Sequence, residues 1–178
     1  ETYVLPQERP PSSGLWIYKP QNGYAGRGIS IVPRVPEGLR RRGVAQRYIT
    51  DPMLIDGYKF DLRMYVGITS FDPLTIYVHD SGLARFATEK YSSSPESYNN
   101  KFMHLTNFSI NKLSDKFKVN TDAENECEGQ KWSLAALKKR LSEDPSVGPE
   151  RVKHAFEAVN DIFIKTFIAI EAQVNSAM

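Results

Sequence analysis

One stretch, YKFDLRMYV at positions 58–66, limits most strongly what this chain can fold into. A β-strand sends alternate side chains to opposite faces, so a strand here would have one apolar and one charged face. The apolar face would comprise Phe60, Leu62, Met64, Val66 and Ile68. The opposite face would comprise Lys59, Asp61, Arg63 and Tyr65. A solvated face of an antiparallel sheet and the floor of a polar cleft both fit this pattern.

Bulk properties restrict the class of protein. A length of 178 residues suits one domain, or one domain with part of another. The single cysteine, Cys127, excludes an internal disulfide and suits a reducing compartment. A net charge of +2 gives no reason to expect a nucleic-acid partner, and no apolar run approaches the roughly 20 residues of a membrane helix. The first residue is Glu1, so we expect an excised piece of a longer protein.

A glycine-rich loop follows a short predicted strand that ends at Lys19-Pro20. Gly23, Gly26 and Gly28 precede a second strand that begins near residue 29. Glycines let backbone N–H groups approach an anion closely, and a lysine adds a point charge suited to phosphate. Both common nucleotide-binding glycine loops open a helix, whereas this loop joins two strands. An anion-binding loop and an ordinary hairpin both remain possible.

The rest of the pattern predicts an α+β chain. Residues 1–14 are expected to form an extended lead-in and residues 15–178 the folded domain. Strands are predicted over 44–49, 58–69, 74–78 and 83–87, with the last turn at Asp80-Ser81-Gly82, as in an antiparallel meander. Ser133 should cap one helix, and Pro149 should begin a long amphipathic helix packed on the sheet. The apolar stripe of that helix comprises Val152, Phe156, Val159, Phe163, Phe167, Ile170 and Val174.

Several short blocks occur in the order typical of one family. They are WIYKP at 16–20, GRGI at 26–29, QRYI at 46–49, DGYKFDLR at 56–63, SFDP at 70–73, HLTN at 104–107 and QKWSL at 130–134. Together they make the chain resemble the tubulin tyrosine ligase-like proteins, nearest to the polyglutamylase branch. The resemblance runs from about Trp16 into the final helix, and DGYKFDLR is its most specific part.

The resemblance implies an ATP-grasp fold, in which α+β lobes hold ATP between antiparallel sheets. It implies that ATP, with Mg²⁺, phosphorylates a glutamate side chain on an acidic tubulin tail. The amine of free L-glutamate then attacks the acyl phosphate and forms an isopeptide bond. It also implies a cytoplasmic protein of microtubules, cilia or basal bodies, with no nucleic-acid or membrane partner.

Roles for individual residues follow from the same resemblance. The phosphates would be held by Lys19, Ala25, Gly26, Arg27 and Gly28. The nucleotide would also contact Gln46, Arg47, Tyr48, Ile49, Lys59, Phe60, Asp61, Thr106 and Asn107, with Lys59 at the base and Asp61 on the ribose side. Arg63, near the γ-phosphate and the acceptor carboxylate, would be catalytic together with Lys19. The amino-acid substrate would contact Arg63, Arg85, Phe108, Ser109 and Lys131.

Two departures from the family pattern qualify these roles. Tyr24 and Ala25 stand where the family has a small and a polar or basic residue, respectively. In the family, the Asp, Glu and Asn metal ligands follow the long helix. Met178 falls within that helix or just after it. We therefore expect an incomplete fold, name no metal ligand here, and expect the 178 residues alone to be inactive.

Three alternatives stay open at the level of sequence. A member without turnover could use the same fold to hold acidic tubulin tails. A sister ligase could add glycine or tyrosine, because Arg85 would suit the α-carboxylate of any amino acid. Basic runs at 40–42 and 138–140 leave a nucleic-acid role as a further option, which a steep salt dependence of DNA binding would reveal.

Overall fold

The computed structural model describes residues 1–35, 42–120 and 127–176, and residues 40 and 41 of the first basic run lie outside these ranges. The strands are β1 Thr2–Leu5, β2 Trp16–Pro20, β3 Ser30–Val32, β4 Gly43–Arg47, β5 Leu54–Ile55, β6 Tyr58–Phe71, β7 Leu74–Lys90 and β8 Lys131–Ser133. The α-helices are α1 Lys101–His104, α2 Phe108–Asn111, α3 Leu134–Glu143 and α4 Gly148–Asn175, and a 3₁₀ turn spans Pro95–Ser97. The chain divides into a first unit, Glu1–Asp61 with Arg85–Val119, and a second unit, Leu62–Ala84 with Asn120–Met178.

An antiparallel sheet in the order β1-β4-β2-β3 belongs to the first unit. Its central strands bury the side chains of Trp16 and Ala45 completely, and the edge strand β1 buries Leu5. Residues 2–5, which the sequence assigned to an extended lead-in, are therefore hydrogen-bonded to β4 as part of the sheet. Strands β2 and β3 are paired, so the predicted strand–loop–strand arrangement of the glycine loop is confirmed.

Strands β5, β6, β7 and β8 form the second sheet in that order. From Leu62 to Thr69 every second residue of β6 is exposed and its apolar neighbours are half-buried, so the predicted alternation is confirmed. The predicted turn at Asp80-Ser81-Gly82 is wrong, because β7 continues through it. A Cβ on Gly82 would lie 2.7 Å from the carbonyl oxygen of Arg63. Gly82 thus permits close approach of the neighbouring backbone, a role that glycine has within strands.

The two long helices begin where the sequence predicts. The Ser133 hydroxyl accepts a hydrogen bond from the Ala136 amide at 3.0 Å and caps α3, and Pro149 lies in the first turn of α4. α4 packs against α3, and Lys138 Nζ lies 4.2 Å from the centre of the Phe156 ring. Of the predicted apolar stripe only Val152 is fully buried. None of the helices described here is both long and apolar enough to cross a bilayer.

The close approach at Gly82 predicts the effect of one added methyl group. Gly82→Ala should lower the free energy of unfolding by about 1–3 kcal/mol, because the new Cβ meets a backbone atom that cannot move aside. Gly67→Ala on β6 is the matched control, since a Cβ there meets nothing within 4 Å. Urea unfolding of both variants measures the difference. Equal stabilities would show that β7 has room at this position.

Candidate functional site

The ammonium group of Lys59 lies at the centre of the polar groups in the first unit. Its Nζ donates to the Tyr48 hydroxyl at 3.0 Å and to the carbonyl oxygen of His104 at 3.0 Å, and it lies 4.7 Å from the centre of the Tyr48 ring. Burial lowers the pKa of Lys59 to about 8, and the positive charge of Lys19 also lowers it, whereas Asp61 opposes the shift. A lysine that has lost part of its hydration in this way is suited to bind a ligand whose negative charge compensates for the loss.

A buried histidine supports this lysine. His104 is 2% exposed, with Nδ1 2.8 Å from the Tyr48 hydroxyl and Nε2 3.1 Å from the Ser97 hydroxyl. Burial first, and then the charge of Lys59, lower the pKa of His104. The sequence analysis assigned no role to His104 or Ser97, although His104 stands in the HLTN block. Its partner Tyr48 is 56 positions away, and no local spacing indicates such a contact.

The glycine loop has an unusual backbone conformation. Ala25 and Gly26 both have positive φ angles, 54° and 83°, and the Arg27 amide donates to the Tyr24 carbonyl at 2.9 Å within the loop. The positive φ of Gly26 disfavours any side chain there, and a Cβ would also meet the end of the Ile110 side chain. The Ser109 side chain contacts the loop directly, because its hydroxyl donates to the Ala25 carbonyl at 2.7 Å. The sequence assigned Ser109 to the amino-acid pocket, whereas this contact links it to the loop.

A cavity of about 730 Å³ opens beside the glycine loop. Its lining includes three cationic side chains and no acidic one: Arg27, Lys101 and Lys112. The Arg27 guanidinium donates to the Tyr24 hydroxyl at 2.6 Å and lies 4.8 Å from the centre of that ring. Tyr24, one of the two departures from the family pattern, therefore orients a cation of the loop. Lys101 and Lys112 are additions to the predicted site.

The β2–β4 pair carries the remaining predicted nucleotide contacts. Lys19 Nζ donates to the side-chain oxygen of Gln46 at 2.8 Å. The Arg47 guanidinium lies 5.5 Å from the centre of the Trp16 ring and its side chain is exposed, and Ile49 is 70% exposed. Tyr48 is the exception in this block, because its side chain is buried and reaches Lys59 and His104.

Asp61 and Arg85 form a two-pronged ion pair. Arg85 Nε donates to Asp61 Oδ1 at 2.8 Å, and Arg85 Nη2 donates to Asp61 Oδ2 at 2.5 Å. Both side chains are partly exposed, and the neighbouring Phe60 and Phe86 rings pack with centres 5.5 Å apart. Sequence analysis predicted separate roles for these residues, at the ribose and at the amino acid. Their pairing means that each one fixes the direction of the other.

A buried amide holds the Thr106-Asn107 segment in place. Asn111 is 1% exposed, and its Oδ1 accepts from the amide and the hydroxyl of Thr88 at 2.9 and 3.0 Å. Its Nδ2 donates to the carbonyls of Leu105 and Asn107 at 2.7 and 3.1 Å. The amide thereby ties the residues around Thr106, which is itself buried, to strand β7. Removal of Asn111 would leave four buried groups without this partner.

Three predicted substrate contacts differ in their setting. Phe108 is 58% exposed and packs edge-on against Phe117 at 5.7 Å. Arg63 is exposed in the second unit, where its guanidinium lies 5.5 Å from the centre of the Tyr65 ring. Lys131 is also in the second unit, as the exposed first residue of β8. The other predicted site residues all belong to the first unit.

The described residues contain no group of three or more His, Cys, Asp or Glu side chains placed to hold a metal ion. The Mg²⁺ that the sequence resemblance implies therefore has no ligands assigned within these ranges. Asp61 is the acidic group whose charge acts on Lys59, and its carboxylate forms an ion pair with Arg85.

Comparison with known proteins shows the family of this chain. Residues 3–178 match the tubulin-tyrosine ligase family, and the chain belongs to that family. It shares 40% identity with tubulin monoglutamylase TTLL4 of Mus musculus over 187 residues, which cover 100% of this chain and 15% of that protein. It shares 38% identity with tubulin polyglutamylase TTLL5 of Mus musculus over 185 residues, which cover 99% of this chain and 14% of that protein. Identity with tubulin polyglutamylase TTLL7 of Mus musculus is 36% over 178 residues, covering 98% of this chain and 18% of that protein.

The lowered pKa of Lys59 predicts a pH-dependent difference in stability. Between the folded pKa of about 8 and the model-peptide value of 10.5, the unfolded chain binds more protons, so stability contributed by this site rises with pH. Between pH 7.5 and 9.5, the wild-type protein should gain about 2 kcal/mol relative to Lys59→Met. Urea unfolding of both proteins at the two pH values measures this gain. A difference between the two proteins that does not change with pH would contradict the buried state of the ammonium.

Proposed function

We propose that this chain is the core of an ATP-dependent protein–glutamate ligase that acts on the acidic tails of tubulin. The observation that carries the proposal is the half-buried ammonium of Lys59, hydrogen-bonded in the same unit as the glycine loop. Family membership and the names of the relatives supply the reaction class. The proposal includes an ATP-grasp fold and association of the protein with microtubules.

The arrangement of side chains fits a nucleotide triphosphate. Lys59 would meet the base, Asp61 would lie on the ribose side, and Lys19 with the loop around Ala25 and Gly26 would hold the phosphates. Backbone groups from Gln46 to Ile49 would face adenine, with Thr106-Asn107 alongside. Burying a cation costs several kcal/mol, and a bound polyanion would offset that cost. Mg²⁺, when bound, would neutralise charge between the phosphates.

The proposed reaction has two steps, and the cations of the site act in both. In the first step, a γ-phosphoryl group passes from ATP to a glutamate side-chain carboxylate of the tail, giving an acyl phosphate and ADP. In the second step, the amine of free glutamate attacks the acyl carbon, phosphate leaves, and an isopeptide bond forms. Fixed cations stabilise the negative charge of each transition state, because they need no rearrangement as it develops. Lys19 and Arg63 are proposed for this role.

Arg85 is proposed to bind the α-carboxylate of the amino-acid substrate. Asp61 fixes the plane of its guanidinium through two hydrogen bonds, so the group is held in one orientation before the substrate arrives. Phe108, Ser109 and Lys131 are proposed to complete the amino-acid site. The contact of Ser109 with the Ala25 carbonyl would then couple this site to the glycine loop.

Incorporation of labelled amino acids into tubulin tests the proposed function. The intact protein, ATP and tubulin should incorporate labelled glutamate, with glycine and tyrosine at least about tenfold slower. Lys59→Ala should abolish ATP binding and incorporation while the circular dichroism spectrum stays unchanged. Lys90→Ala, which alters an exposed lysine at the end of β7, is the control. Preferred incorporation of glycine or tyrosine, or tail binding with no incorporation, would favour the sister ligase or the binding module.

The ion pair at Asp61 makes a separate prediction about the amino-acid substrate. Arg85→Lys keeps the charge but cannot form the two-pronged pair, so the KM for glutamate should rise by about tenfold or more. Glu89→Gln, which breaks the exposed Lys116–Glu89 ion pair in the same unit, should change it less than about twofold. Steady-state kinetics with varied glutamate gives both values. An unchanged KM in Arg85→Lys would remove Arg85 from the amino-acid site.

A further inference from the structure

We propose that His104 is a positioning residue that holds Lys59 in place for the nucleotide through the Tyr48 hydroxyl. The inference rests on the proposed function, because it takes Lys59 to be the lysine that contacts the nucleotide. It adds Ser97, His104 and the side chain of Tyr48 to that site. It also specifies which group donates in each hydrogen bond that joins them to Lys59.

The direction begins at Ser97. Its hydroxyl oxygen lies 2.9 Å from the carbonyl oxygen of Ser92 and 2.7 Å from that of Ser94. Carbonyl oxygens only accept, so the single hydroxyl hydrogen of Ser97 is directed to one of them. The third neighbour of this oxygen is His104 Nε2 at 3.1 Å. Ser97 must therefore accept from this nitrogen, and His104 carries its hydrogen on Nε2.

The tautomer of His104 then sets the direction at Tyr48. With hydrogen on Nε2, the neutral imidazole offers Nδ1 as an acceptor. The Tyr48 hydroxyl, 2.8 Å away, therefore donates its hydrogen to Nδ1. The hydroxyl oxygen is left to accept from the Lys59 ammonium at 3.0 Å. The donors then run from Lys59 through Tyr48 and His104 to Ser97. The Tyr91 hydroxyl, which donates to the Thr50 carbonyl at 2.9 Å, is a further neighbour of the Tyr48 hydroxyl.

His104 contributes to both acceptors of the ammonium. It orients the Tyr48 hydroxyl with its ring, and its own carbonyl oxygen accepts from Lys59 Nζ at 3.0 Å. This carbonyl belongs to the last residue of α1. Asn100 caps that helix, and its side chain accepts from the Phe102 amide at 3.1 Å. A long lysine side chain otherwise loses rotamer entropy when a ligand orders it. Holding Lys59 beforehand removes part of that cost from nucleotide binding.

Burial keeps the histidine in the state that the chain requires. His104 and Tyr48 are 2% and 6% exposed, and the rings of Tyr91 and Tyr98 face the imidazole edge-on at 5.4 and 6.3 Å. Among the charged groups, Lys59 acts on His104, while Asp61 and Lys19 act on Lys59. A proton on Nδ1 would confront the Tyr48 hydroxyl with a second donor. Burial and the nearby ammonium both oppose that proton.

Three variants separate the positioning role from a purely structural one. Tyr48→Phe removes the hydroxyl that links His104 to Lys59, together with its contact with Tyr91. His104→Leu removes both ring nitrogens, whereas His104→Asn keeps a side-chain oxygen near the position of Nδ1 that can still accept from Tyr48. Each variant of the intact protein is titrated with ATP by calorimetry from pH 6.5 to 9.5. Circular dichroism and the urea midpoint are recorded alongside as measures of folding.

We expect Tyr48→Phe and His104→Leu to weaken ATP binding about 5- to 30-fold at pH 7.5, and His104→Asn to restore it to within about threefold. In Tyr48→Phe the alkaline loss of affinity should begin about one pH unit lower, because the ammonium has lost an acceptor. A loss of fold alone would not shift this pH profile. Should His104→Leu fail to fold, the affinity and pH profile of Tyr48→Phe decide the matter.

One outcome would overturn the inference but not the proposed function. In it, Tyr48→Phe binds ATP with wild-type affinity and an unshifted pH profile, whereas Lys59→Met no longer binds ATP. Equal ATP affinity in the wild type and Lys59→Met would overturn the proposed function of Lys59 and, with it, the inference. The pairing of these two variants therefore distinguishes one failure from the other.

Discussion

The half-buried ammonium of Lys59 is the constraint on which the rest of the first unit depends. A lysine at the start of a sheet strand normally extends into water, and here it is withdrawn between a tyrosine hydroxyl and a backbone carbonyl. That withdrawal lowers its pKa and costs free energy at neutral pH. The cost is useful only if a ligand brings negative charge to the group. The family to which the chain belongs acts with ATP, a polyanion that Lys59 is proposed to contact at the base.

The supports of Lys59 come from distant parts of the chain. Strand β6 carries Lys59 and Asp61, and the returning strand β7 brings Arg85 against Asp61. Tyr48 follows β4, and His104 ends α1 with its ring locked between Tyr48 and Ser97. Asn111 fixes the neighbouring segment to β7. Each cation is thus oriented by a neutral or acidic partner before any ligand binds, which is the condition for electrostatic stabilisation without rearrangement.

Sequence alone could predict the features that depend on local pattern. The alternation of β6, the Ser133 cap, Pro149 at the start of α4 and the paired strands around the glycine loop all have short-range signals, and all are confirmed. The turn predicted at Gly82 was wrong, because glycine occurs both in turns and where neighbouring strands approach closely. Strand β1 was missed because its partners in β4 lie 38 to 44 positions away.

The candidate site was only partly predictable for the same physical reason. Motifs indicated the residues predicted to face a ligand, since their chemical types recur at fixed spacing. They did not identify what holds those residues. The link from Tyr48 to His104 spans 56 positions and the pair of Asp61 with Arg85 spans 24. Such contacts depend on how the whole first unit folds, and neither periodicity nor local composition reports them.

Proton uptake on ATP binding tests most directly whether the Lys59 ammonium is kept for a polyanion. Calorimetry of the intact protein at pH 8.5, in buffers with different ionisation enthalpies, counts the protons taken up for each ATP bound. With a pKa near 8 in the free protein, Lys59 is mostly neutral at this pH, and the bound polyanion should restore its charge. We predict uptake of about 0.7 proton per ATP in the wild type and none in Lys59→Met. No uptake in the wild type, at undiminished ATP affinity, would contradict the central role of Lys59.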